Sequence, residues 1–568
     1  MIDFKDKDDG EKVKLVESHY QYARNRRNKY EPLWEILSKI YLPRRAEFLR
    51  NEGHGEKGKQ FGHNIYSGAP AMLANKCALG MLNYMASKSV PWLAFGASRQ
   101  PLMKDDSVKQ YYQDAGEQIL WSFNKSNFFG SSVWFTKDGV VVGTAASVPE
   151  FDLRNDRVCY KTVHPGESYV EDDEYGSPGV YFRTLKRTAI QLYKMFGNRL
   201  PADVIACATG KKAGKSPFSD YDVLMAVYRV DDYDQESLLP EDGKNRVFYI
   251  LRTGGKSDGE RLLMDSGIPH FPIIWRMGKE PDCNYGTSIA ADGLTAALID
   301  NKLAEKGLLA VHKAVESPMW VHENLRGKLH LNPGGRTYFS DPSEQAQAIQ
   351  ERIDWPMSDA QQQRIQDILG DTFFVRFFEL LSGQDLPQLT AYQVRQMLGE
   401  KAVLMSSITE SFEEEYLRGA VETQWEYETL AGRMPDAPDI LLDPEYGDGE
   451  VDVNFIGPLA QLQRSVLKSK GILDGLEIVG QIGQIWPNSL IKINEMELIE
   501  DALIAQGFPQ DLIKSDEEVQ AIIQAQQQKQ EMMEAAEMAE KAGRASGGLG
   551  KAIEPNSPMD AMAEMVAG

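Results

Sequence analysis

The segment Gly210–Ser216 reads GKKAGKS, and its end, Gly214-Lys215-Ser216, carries the residue types that grip a nucleotide phosphate. In the pattern GxxxxGK[ST], successive backbone N–H groups cradle the phosphates and the lysine reaches the outer ones. The spacing fails here. The first glycine would have to stand at position 209, which is Thr209, and Pro217 stands where the first helical turn should continue. Asp439–Asp443 (DILLD) imitates an apolar strand ending in a magnesium-binding aspartate, but it lies in a Pro-rich connector without a partner loop. Both are read as coincidence. There is no GxSxG elbow and no HExxH pair. The eight histidines, His312, His322 and His330 among them, never fall at i, i+4 ligand spacing. The acidic run Glu171–Glu174 lacks the ligand periodicity of a calcium loop and reads as a hairpin tip. Glu413 to Glu415 read as the solvated face of a helix. No catalytic residue, metal ligand or cofactor site is expected.

The totals narrow the class. The chain has 568 residues and a formal net charge of −22, enough length for about three or four domain-sized units. That charge argues against a general nucleic-acid binder, which would show a basic face. It is compatible with a protein past which nucleic acid slides, because acidic walls repel phosphates. Cys77, Cys159, Cys207 and Cys283 lie far apart with no CxxC pairing, so neither zinc nor a disulfide framework is expected and a reducing compartment fits. The N-terminus MIDFKDKDDGEKVK has no apolar core, and no run approaches 18 apolar residues. Neither a signal peptide nor a membrane span is expected.

The elements read as α+β, predominantly α-helical. Residues 11 to 40 have helical periodicity, with Arg24, Arg26, Arg27, Lys29, Arg44 and Arg45 read as a solvated basic face. Residues 52 to 60 read as a loop, Asn64 to Lys88 as a helix rich in small residues and methionine, and Val108 to Asn124 as another helix. Gly139 to Asp152 and the stretches after it read as strands and hairpins. Thr188 to Phe196 is a short helix ended by Gly197. Residues 200 to 285 read as an inserted α+β segment, with a polar, mobile loop at Thr209 to Asp220. Thr287 to Lys313 is a long helix that Thr287 or Ser288 would cap, and Asn332 to Phe339 a turn into a strand. The organising element is Leu389 to Trp425, with a capping box at Thr390 and Gln393. It would be about 50 Å long, and Gly399 is its expected kink. Beyond the connector at Met434 to Val453, helices are expected at Leu459 to Ser469, Asp474 to Ile485, Asn494 to Gln506 and Glu517 to Lys541, then a flexible tail.

Taken in order, several stretches resemble the portal, or head-to-tail connector, proteins of short-tailed bacteriophages. They are Asn64–Gly96 (NIYSGAPAMLANKCALGMLNYMASKSVPWLAFG), Phe135–Glu150, Phe182–Gly197, His270–Leu303 (HFPIIWRMGKEPDCNYGTSIAADGLTAALIDNKL) and LTAYQVRQMLGEKAVL from Leu389. Their order and spacing, over roughly residues 10 to 430, carry the resemblance. It implies a fold of wing, stem, clip and helical crown, assembling as a ring of about twelve copies. Residues 1–183 would form most of the wing, 184–197 the first stem helix, 198–283 the clip and 284–313 the second stem helix. Residues 314–454 would return to the wing, with a tunnel loop at 376–388 and a long kinked helix at 389–425. Residues 455–545 would be the crown and 546–568 a flexible tail. Ser382, Gly383, Gln384, Asp385 and Gln388 would line the channel. The implied function is a conduit for double-stranded DNA at one capsid vertex, docking the terminase large subunit and later the tail adaptor or nozzle proteins. Capsid and scaffolding proteins would be further partners, and the protein would reside in the virion after assembly in the host cytoplasm. The alternatives are a coat or scaffolding subunit and a packaging NTPase. The large mixed α/β half disfavours a scaffold, and the failed phosphate loop disfavours the NTPase.

Overall fold

The computed structural model describes Phe4, residues 7–45 and residues 64–461 with interruptions, the longest at 231–242, 382–400 and 443–450. All described elements belong to the unit Met1–Val466. The loop at 52–60, most of the expected crown and the tail lie outside the described residues.

In chain order the helices are α1 (Asp9–Arg27), α2 (Glu31–Tyr41), α3 (Ala69–Met85), α4 (Asp106–Lys125), α5 (Phe128–Val142), α6 (Ala189–Phe196) and α7 (Ala202–Ala208). They continue with α8 (Ile289–Asp292), α9 (Leu294–Val315), α10 (Trp355–Thr372), α11 (Val375–Leu381), α12 (Ser406–Phe412), α13 (Arg418–Leu430) and α14 (Asp439–Leu442). The strands are β1 (Leu93–Ala97), β2 (Thr144–Asp152), β3 (Arg157–Val163), β4 (Ser168–Asp172), β5 (Pro178–Thr188) and β6 (Asp220–Arg229). Then follow β7 (Asn245–Leu251), β8 (Leu262–Gly267), β9 (Ile273–Arg276), β10 (Met319–Trp320), β11 (Gln347–Ala348) and β12 (Val451–Phe455). All pairings are antiparallel: a five-stranded sheet β4-β5-β6-β7-β8, a three-stranded sheet β3-β2-β9, and the pairs β1-β12 and β10-β11.

Two cores form. The larger joins α2, α3, α4 and α5 to the three-stranded sheet and to α12 and α13, with Trp92 stacked parallel to Phe128 and Phe455. The smaller lies between α1 and one face of the five-stranded sheet, where Val13, Val16, Tyr20 and Ala23 meet Tyr169, Phe182, Leu224, Tyr228, Phe248 and Ile250. The period-3.6 apolar stripe of α1 thus faces the period-2 apolar faces of the strands.

Several expectations are corrected. Residues 11–40 are two helices, broken at 28–30 where Pro32 opens α2. Gly139–Val142 is the end of α5, not strand; the run GVVV is buried on all sides, where periodicity cannot separate helix from strand. Gly139 faces the Trp275 indole, on which a Cβ would land at 2.1 Å, and Gly143 (φ +87°) ends the helix in the left-handed region. Thr184–Thr188 is the end of β5, and the helix begins at Ala189 behind a capping box of Thr188 and Gln191. The segment 200–285 is not a separate insertion. Strands β6, β7 and β8 extend the sheet begun by β4 and β5, and β9 pairs with β2. The helix expected at Thr287–Lys313 starts as the short α8, capped by Ser288, and restarts after Gly293 as α9. Of Asn332–Phe339, the described residues 336–338 are not strand. Asp439–Leu442 of the DILLD motif is helix α14.

Candidate assembly and channel surfaces

Ser382, Gly383, Gln384, Asp385 and Gln388 lie outside the described residues, as does Gly399. What brackets them is described. Phe374, at φ +53°, breaks the chain between α10 and α11. Residues 376–381, assigned above to the loop, are helical in α11. Phe377 and Phe378 are buried, and the Phe378 ring lies against Gly80 of α3, where a Cβ would meet it at 2.5 Å. On the far side Met405 is buried at the start of α12. The described chain is thus anchored in the core at Phe377 and Phe378 on one side and at Met405 on the other.

In the described part of the helix that follows, the irregularity lies beyond Phe412. Between α12 and α13, Glu413–Leu417 forms a π-helical turn, a one-residue register defect of the kind frequent at functional sites. Here the reading of Glu413–Glu415 as a solvated face fails for Glu415. Its Oε2 accepts the Arg276 backbone N–H at 2.6 Å and its Oε1 lies 3.1 Å from Arg276 Nη2. The buried Arg276 also donates to Asp172 Oδ1 and to the Gly176 carbonyl, and Lys279 binds Asp172 Oδ2 at 2.7 Å. Burial lifts the Glu415 carboxyl above its usual range, partly offset by Arg276. Phe412 meets the Trp275 indole edge-on at 4.8 Å, Tyr416 stacks on Phe135 at 3.8 Å, and the Ser132 and Tyr416 hydroxyls are 2.6 Å apart. The turn is thus clamped by ions on one side and by rings on the other.

Further along, α13 enters a second polar network. Glu428, fully buried, accepts from Arg433 Nε at 2.7 Å, Gln118 Nε2 at 2.8 Å and the Ser122 hydroxyl. Burial pushes its carboxyl up, but these donors more than offset that and hold it below its usual range. Asp156, at the β2–β3 turn, is held lower still by hydrogen bonds from Lys125, Tyr427 and Arg433. The sequence carried one signal of this: Glu428 falls in phase with Leu417, Val421 and Gln424, a charge where the stripe calls for burial.

The basic cluster read as solvated splits. Arg27 is buried; its Nη1 donates to the carbonyls of Pro165, Gly166 and Ser168, its Nη2 pairs with Glu31, and its guanidinium lies 3.9 Å from the Tyr169 ring centre. Arg45 pairs with buried Asp138 at 2.8 Å. Arg24 remains exposed.

Helix α9 carries a different kind of surface. Only Ala297 and Asp300 are buried on it. Asp300 receives the Ser67 hydroxyl and the side-chain amides of Gln362 and Gln366 from α10. Leu298, Ile299, Leu308, Leu309, Val311 and Val315 are exposed, although large apolar side chains in such number on one helix normally mark a contact surface.

The phosphate-loop imitation has the wrong polarity as well as the wrong spacing. Gly210 and Lys211 follow the C-terminal end of α7, and Lys215 and Ser216 lead into β6, so the helix precedes the loop; Gly214 is outside the described residues. Among the described residues no cluster of metal-ligand side chains forms, and no helix is long and apolar enough to cross a membrane. His19 and His270 instead pair with Glu171 and Glu426. All four cysteines are free, and burial pushes the Cys77 thiol up to about 12.

The family model described as bacteriophage head to tail connecting protein matches residues 13–513. The chain is 22% identical over 524 residues to the portal protein of Salmonella phage epsilon15, covering 90% of each chain. It is 22% identical over 462 residues to the probable portal protein of Bordetella phage BPP-1, covering 80% of each. The chain belongs to the family of bacteriophage head to tail connecting proteins.

Proposed function

We propose that this protein is the portal of its phage, a closed ring of about twelve copies through which double-stranded DNA is packaged and later ejected. The observation that carries this is the match to relatives called portal proteins along nearly the whole of both chains. The ring stands at one capsid vertex. It docks the terminase large subunit during packaging and tail adaptor or nozzle proteins afterwards, and it meets capsid and scaffolding proteins as the shell closes. Residues 1–183 and 314–454 make the wing, 184–197 and 284–313 the stem, 198–283 the clip, and 455–545 the crown. Ser382, Gly383, Gln384, Asp385 and Gln388 line the channel. A net charge of −22 suits a passage that must not hold its cargo.

The test is native mass spectrometry and end-on negative-stain imaging of the purified full chain. Rings of about twelve subunits with a central hole are expected. Closed shells, or a monomer that persists when the phage's scaffolding protein is added, would overturn the reading.

A further inference from the structure

The described residues between the middle of α9 and residue 338 form an arm with very little cover of its own. Residues 311–315 of α9 and its C-cap Glu316 are all exposed, and of the described residues from 318 to 330 only Leu325 is buried. Large apolar side chains stand among the exposed ones. Leu308, Val311 and Val315 recur at i, i+3, i+7 and form one stripe along the helix. Beyond it Val315 is 79%, Trp320 71% and Tyr338 82% exposed, with Met319 and Val321 beside them. Among the described residues its strand structure is β10, which pairs with β11 beyond it in a ribbon of two residues on each side. A helix half without tertiary packing frays, and an isolated two-stranded ribbon is at best marginal in water. Such an arm needs a surface to lie on, and needs it whenever the protein is in its working state.

We propose that the surface is a second copy of this chain: the arm lies across the neighbouring subunit, with the α9 stripe and Trp320 as its apolar anchors. Charge selects that occupant. The chain carries −22 overall, so two copies repel each other over most of their surfaces. Residues 302 to 330 depart from this, with Lys302, Lys306, Lys313, Arg326 and Lys328 against Glu305, Glu316 and Glu323. An apolar, locally cationic arm on an acidic molecule is complementary to that molecule's own exterior. The contact is heterologous, arm against a different face, which is the geometry that closes into a ring. This inference rests on the ring assembly proposed above.

Wild type and the double variant Val311→Asp, Trp320→Ala are purified as full chains and compared by native mass spectrometry, imaging, circular dichroism and thermal melting. The expected result is at least tenfold fewer rings from the variant, with an unchanged far-ultraviolet spectrum and subunit melting. A variant that closes rings as well as wild type, beside wild-type rings, overturns the arm while the portal reading stands. Wild type that closes no rings even with the phage's scaffolding protein added overturns both. Amide hydrogen exchange on wild type keeps the test decisive if the variant misfolds: residues 308–321 should gain at least tenfold protection on passing from subunit to ring, and equal exchange in the two states overturns the arm.

Discussion

Single residues in this fold show why charge in a sequence does not disclose its surroundings. Arg24 and Arg27 stand three apart in one helix, yet the first is solvated and the second is sealed among three carbonyls, a carboxylate and a tyrosine ring. Position against the apolar stripe separates them, because Arg27 continues the phase of Val16, Tyr20 and Ala23. Glu415 and Glu428 differ in a way that can be titrated. Glu428 has its carboxyl below the ordinary value, so the unfolded chain binds its proton more readily than the folded one. Its stabilisation is complete above the unfolded pKa of about 4.3 and is lost as pH falls through the lower folded value. Glu415 has the opposite sign: burial raises it, and the cost of keeping it ionised disappears as pH falls through its raised value. Glu428→Gln should therefore lower stability at pH 7 by about 2 kcal/mol, since it weakens a hydrogen-bonded pair with the partly exposed Arg433. Melting curves should show that gap constant from pH 8 to about pH 5.5 and narrowing below about pH 4.3. A gap that widens on acidification would mean that Glu428 is not the ionised acceptor in this network.

At the scale of elements, amphipathic helices were legible and the ends of several elements were not. The short helix ended by Gly197, the Ser288 cap and the paired period-2 runs follow from local chemistry and stand where residue spacing placed them, while the capping box of Thr188 and Gln191 went unread. The GVVV end of α5 misleads because total burial erases the period that distinguishes helix from strand. The π-turn was beyond reach for another reason: it is held by Arg276, more than a hundred residues away, and nothing at Glu413–Leu417 itself announces the partner. The expected clip, 198–283, looks self-contained because its composition is mixed and its flanks are helical. Hydrogen bonding joins it to what lies before it. Strand β6 pairs along its length with β5, β9 pairs with β2, and the apolar face shared by β5, β6 and β7 is covered by α1. A fragment of residues 198–283 would expose one edge of β6 and the face that carries Leu224, Ala226, Phe248 and Ile250. It should aggregate or unfold without a cooperative transition. Cooperative thermal unfolding of that fragment, with dispersed amide resonances, would show that α1, β4 and β5 merely dock on an independent clip.

For the whole molecule, the opposition between net charge and apolar surface sets how assembly should respond to salt. In the proposed ring every added copy brings a formal charge of −22, and that repulsion acts over the screening length, about 10 Å at 0.1 M salt and about 3 Å at 1 M. The contacts proposed to favour closure are of a different kind. Leu308, Val311, Val315 and Trp320 are uncharged, and the burial of such side chains is not weakened by simple salts. Raising sodium chloride from about 0.05 M to about 0.5 M should therefore move the population from subunits to rings, because screening removes the opposing term and leaves the favourable one. The cationic arm pulls the other way, since its attraction to an acidic neighbour is screened as well, but it carries a small excess of charge against the total on each chain. Sedimentation velocity across that range decides between the two. A ring fraction rising with salt identifies apolar burial working against general repulsion. A ring fraction falling with salt would mean that specific ion pairs hold the subunits together, and the interface would then have to be sought at the charged surfaces rather than along α9.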